Sequence, residues 1–154
     1  MKNLIVLWVI SFIYLCGCNS NDHSHKEDAV MPADELNRKE AAPGFSLNSG
    51  AKWNADVPTN ENVKALQTVA NEFNKGNHTE LKDYQKVSDD LQSGIDKMVK
   101  ECRMKGADHE ALHKWLEPLM KQVAALKKAG EAPDAKKIFA KIQSQLLLYN
   151  QYFE

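Results

Sequence analysis

Within twelve residues the chain places Cys102, Met104, His109 and His113, in the pattern Cys-x-Met-x4-His-x3-His. A thiolate, a thioether and two imidazoles are the ligand types that soft transition metals prefer. Copper, above all Cu(I), accepts all four. Zinc accepts Cys102, His109 and His113 but gains little from a thioether. Haem ranks below both: the chain has no Cys-x-x-Cys-His, and a b-type haem with Met and His ligands needs them on opposing helices. Each residue also has a plainer use. A cysteine on a core stripe is most often a small buried hydrophobe, a methionine fills gaps, and a histidine sits at a polar edge. Their grouping is what makes metal binding the sharper reading.

Catalysis finds less support. There is no Ser-His-Asp set, phosphate loop or dinucleotide fingerprint. Cys102 and His109 as nucleophile and base lack any indicated oxyanion donor. No catalytic residue is assigned, and the chain is not expected to be an enzyme. Lys and Arg number 20 against 21 Asp and Glu, with no basic block, which argues against nucleic acid as a partner.

The elements that position the four candidates are helical. Val63, Leu66, Ala70 and Phe73 recur at three- and four-residue steps and end at Gly76. A second stripe, with its N-cap expected at Thr79, carries Leu81, Tyr84, Leu91, Ile95, Met98 and Cys102. Gly106 and Asp108 mark a break and a new cap. The third stripe is His109, Leu112, Leu116, Leu119, Val123 and Leu126, with Pro118 expected to kink or split it. Gly130 ends that segment, and Pro133 opens a fourth with Ile138, Ile142, Leu146, Tyr149 and Phe153. Short loops imply antiparallel neighbours, so the expected fold is all-α, an up-down-up-down four-helix bundle over residues 59–154. The end of the second helix and the start of the third then share one end of the bundle, and the i, i+4 spacing of His109 and His113 lets both rings face one point. Trp53 is expected to fold back on the domain and, with Tyr152, to form an apolar lid over the site.

The start of the chain has a different character. Lys2, the apolar run Leu4 to Leu15 and the small Gly17 have the layout of a secretory signal over residues 1–17. Leu15-Cys16-Gly17-Cys18 resembles the lipobox of bacterial lipoprotein precursors. That resemblance implies lipidation of Cys18, attachment to the membrane through this lipid, and residence in the bacterial cell envelope. Cys102 is then the one thiol left without an intramolecular partner. Residues 18–58, rich in Pro, Gly and charge, read as a flexible, disordered linker; about 35 such residues span roughly 30 Å. The Asp22-His23-Ser24-His25 run reads as solvated spacer.

Residues 52–56 (KWNAD) and 102–118 (CRMKGADHEALHKWLEP) make the folded part similar to small exported helical-bundle lipoproteins of bacteria that are loosely associated with heavy-metal handling. The donor types also resemble those of blue-copper centres, though the helical pattern excludes the β-sandwich that carries such centres. The expected function is therefore storage, transfer or resistance involving a soft metal ion. The rival is a metal-free, lipid-anchored interaction or inhibitor module for another envelope protein, with the histidines as a pH-sensitive edge.

Overall fold

Asp56 stands just before an apolar stripe and does what a short carboxylate does best there. Its Oδ1 accepts the N–H of Thr59 at 2.8 Å and opens helix α1, Val57–Lys75, with Pro58 in the first turn. Its Oδ2 accepts the N–H of Arg103 at 2.6 Å, tying this helix start to a loop 47 residues away. The computed structural model describes residues 45–154. The signal segment, Cys18, the His23–His25 run and the linker up to residue 44 lie outside the described residues.

Three more helices follow: α2 (Leu81–Glu101), α3 (Gly106–Lys127) and α4 (Ala132–Tyr152). The expected all-α, four-helix bundle is the fold observed. Loops of four or five residues join consecutive helices, which makes each antiparallel to the next. Each helix packs on its chain neighbours, α4 closes on α1, and α2 and α4 touch across the centre. Leu91, Ile95 and Met98 of α2 are fully buried, as are Leu119 and Leu126 of α3 and Ile142 of α4. At one end Phe73, Tyr84 and Phe139 pack edge to face. At the other, Trp115, Tyr149, Phe153 and Phe45 form a second aromatic cluster.

Several local expectations are corrected. α2 begins at Leu81 after Glu80, so Thr79 is not its cap. α3 begins at Gly106, whose φ of +66° suits a residue without a side chain. Asp108 is therefore already inside the helix, and its Oδ1 accepts the N–H of Asn54 at 3.1 Å. Pro118 does not split α3, which runs unbroken to Lys127. The carbonyl it leaves without its usual partner belongs to the exposed Lys114, where water can serve it. The folded unit also begins earlier than residue 59: Phe45 is only 8% exposed and rests on Tyr152 at 4.5 Å between ring centroids.

Trp53 does fold back. It pairs with Phe153 in a parallel bridge, with Trp53 N–H to Tyr152 O at 2.8 Å and Glu154 N–H to Trp53 O at 3.0 Å. Its indole N–H donates to Ser46 O at 2.8 Å.

The capping carboxylate yields a first prediction. Partial burial raises the pKa of Asp56, but the nearby Thr59 hydroxyl, the N–H groups of Arg103 and Thr59 and the Arg103 charge together outweigh it and hold the carboxyl below its ordinary range. That hydroxyl makes no hydrogen bond of good geometry, so its help is electrostatic. A depressed folded-state pKa stabilises the fold above the ordinary carboxylate range and stops doing so as pH falls through the lowered value. Asp56→Ala is expected to cost about 1 kcal/mol at neutral pH. The gap from the parent should narrow in acid, as urea melts at pH 7 and in acid will measure; a gap independent of pH would mean the charge plays no part.

Candidate metal centre

The α2–α3 pair positions the candidates. α2 ends where Cys102 leaves helical geometry with ψ of 131°, its N–H still donating to Met98 O at 2.9 Å. Arg103 then turns its guanidinium onto the free carbonyls of Lys100 and Cys102 at 2.9 and 3.1 Å, a cation placed where the helix end is negative. Four residues later α3 starts and carries His109 and His113 one turn apart.

Between the two helices lies a groove of about 390 Å³. Cys102, His109 and His113 all line it, together with Met98 and Val99 from α2 and Leu112, Leu116, Glu117 and Met120 from α3. Cys102 and His109 are half-buried and His113 is exposed, so the donors run from the wall of the groove to its mouth. Val99 and Met120 are 56% and 41% exposed.

The imidazoles have come together. Nε2 of His109 and Nε2 of His113 are 3.0 Å apart, with the rings nearly perpendicular at 89°. At that distance one Nε2 donates and the other accepts, the roles depending on the tautomers. Both nitrogens could bind one ion after the rings reorient and move slightly apart. Among the described residues, no three side chains of His, Cys, Asp or Glu converge on one point. The preassembled part is the histidine pair, with the Cys102 thiol alongside on the same groove.

Burial first, then electrostatic repulsion from Asp56 and Cys102, holds the Tyr149 phenol above its ordinary range. It stays protonated and donates to Asn60 Oδ1 at 2.8 Å.

Met104 does not line the groove. The Arg103–Asp56 bond draws the loop toward the start of α1, and Met104 goes with it to pack, half-buried, against the core. The lid is also elsewhere. Trp53 lines a separate cavity of about 90 Å³ with Phe45, Ala107, Glu110, Ala111 and Lys114, while Tyr152 covers Phe45. Helical phase explains this: residues 107, 110, 111 and 114 face one side of α3, and 109, 112, 113 and 116 face another. The groove is left open to solvent.

The sequence reading places Met98 on the core stripe without assigning it to the site, and does not single out Val99, Glu117 or Met120. Met98 sits four residues before Cys102 on the same stripe, which was the available signal; Met120 follows His113 by seven. No helix among the described residues is long and apolar enough to cross a membrane. No protein-family profile, curated protein or solved structure matches this chain.

Proposed function

We propose that this is a bacterial envelope lipoprotein, anchored through lipid on Cys18, whose bundle binds a soft transition metal for storage, transfer or resistance. Copper as Cu(I) is the ion that suits the donors best. One observation carries the reading: two imidazole nitrogens stand 3.0 Å apart on a groove whose wall also holds the Cys102 thiol. His109 and His113 supply the nitrogen donors and Cys102 the anionic sulfur. Cu(I) is content with two or three such ligands, whereas zinc needs a fourth. The walls of the groove are largely apolar, which favours the lower charge of Cu(I).

The apolar rim formed by Val99 and Met120 supports a second reading, in which the same groove receives part of another envelope protein and no metal is involved. A single titration separates the two. The chain from residue 19 onward, made without lipid, competes for Cu(I) against a colorimetric chelator under anaerobic conditions, with zinc in parallel. One tight copper equivalent is expected, absent from the variant combining Cys102→Ala, His109→Ala and His113→Ala. If the parent chain takes neither metal from the chelator, the interaction module becomes the better account.

A further inference from the structure

Met98 is fully buried, yet it is one of the residues lining the groove that holds Cys102, His109 and His113. It lies on α2 four residues before Cys102, the residue that caps this helix, as His109 precedes His113 by four on α3. Residues four apart on a helix stand about 6 Å from one another on one face. The two helices are antiparallel neighbours joined by a four-residue loop. The two pairs therefore line one groove, Met98 and Cys102 from the α2 side and His109 and His113 from the α3 side. Exposure rises from Met98 through Cys102 and His109 to His113, so the sulfurs make the floor and the imidazoles the mouth.

We infer that Met98, not Met104, supplies the thioether of the site, giving Cu(I) a donor set of Met98 and Cys102 from α2 and His109 and His113 from α3. This rests on the copper reading above and adds to it the source of selectivity. A thioether is a soft, neutral donor that holds Cu(I) and contributes little to zinc. Because Met98 lies beneath the groove, an ion that enters past His113 meets it last, at the driest point. Met104 belongs to the loop and has no place in the set.

The test compares Met98→Leu and Met104→Leu in the chain from residue 19 onward, which carries the whole described bundle. Leucine keeps the volume and apolarity of methionine, so the core is preserved, and circular dichroism will verify it. Met98→Leu is expected to weaken Cu(I) binding about tenfold while leaving zinc within about twofold, because only the softer ion uses the thioether. Met104→Leu should leave both metals as in the parent. X-ray absorption at the copper edge supplies a second readout: the parent should show two sulfur scatterers, and Met98→Leu only one. If Met98→Leu matches the parent in affinity and sulfur count, while the Cys102, His109 and His113 variant has lost copper, the assignment of Met98 fails and the copper reading stands. A parent chain that binds no Cu(I) overturns both.

Discussion

Trp115→Ala should lower the unfolding free energy by about 3–5 kcal/mol, a large fraction of what a domain of this size commands. The indole is 1% exposed and sits against the ring of Tyr149 at 4.9 Å and of Phe153 at 6.4 Å. It is also latched by reciprocal bonds: its N–H donates to Gln145 O at 2.9 Å, and the Gln145 side-chain amide donates to Trp115 O at 2.7 Å. Truncation leaves a void the size of an indole between α3 and α4 and removes the indole donor from Gln145 O, while the bond from the Gln145 amide to the backbone carbonyl of residue 115 survives. A thermal melt should move down by about 15–20 °C. Trp115→Phe, which retains an aromatic ring but no N–H, should recover most of the loss. A fall below about 1 kcal/mol would mean the bundle collapses into the void far more readily than packed cores do.

The second large effect is expected at Phe153. Its ring is 2% exposed, stacks on Tyr149 at 4.7 Å and 13°, and touches Phe45 at 5.9 Å. Phe153→Ala should cost about 3 kcal/mol, near the lower bound for a buried phenylalanine. Its distinguishing feature is where the damage falls. The Trp53 bridge has Phe153 as its partner, so the amide of Trp53 should lose hydrogen-exchange protection far more than that of Leu91 in the middle of α2. Uniform loss at both amides would show that the bridge is not a separable unit.

Much of this architecture was readable in the residues before any coordinates. Val63, Leu66 and Ala70, then Leu91, Ile95 and Met98, then Leu112, Leu119 and Leu126 are buried as their spacing implies. Gly76 and Pro133 mark a helix end and a helix start as expected. On α4 the stripe was half a step out: Phe139, not Ile138, is the fully buried member. The two residues flank the direction of Ile142 almost equally, and periodicity cannot choose between them. The choice is made by Phe73, whose ring meets Phe139 at 4.7 Å.

The caps show the same division. Asp56 caps α1 while Thr79 and Asp108 cap nothing, since a polar residue before a stripe is suitable for the task without being bound to it. In the candidate site, the i, i+4 spacing anticipated that His109 and His113 meet. Spacing groups Met104 with Cys102, while periodicity makes Met98 a member of the core stripe; the structure puts Met98 and not Met104 on the groove. The distance that matters runs across the α2–α3 interface, and the path of a four-residue loop is set by Asp56, 47 residues away from Arg103.

The bridge at residues 53 and 153 also has a mechanical meaning. Its two segments run parallel, so the chain leaving Trp53 toward Phe45 and the chain leaving Phe153 toward Glu154 depart in opposite directions. Tension between those two ends loads the bonds from Trp53 to Tyr152, Glu154 to Trp53 and Ala55 to Glu154 in shear, all together, and does not peel them singly. The clasp is thus strongest against a pull along the chain. The α2–α3 pair, with the groove between its helices, lies off that line of force.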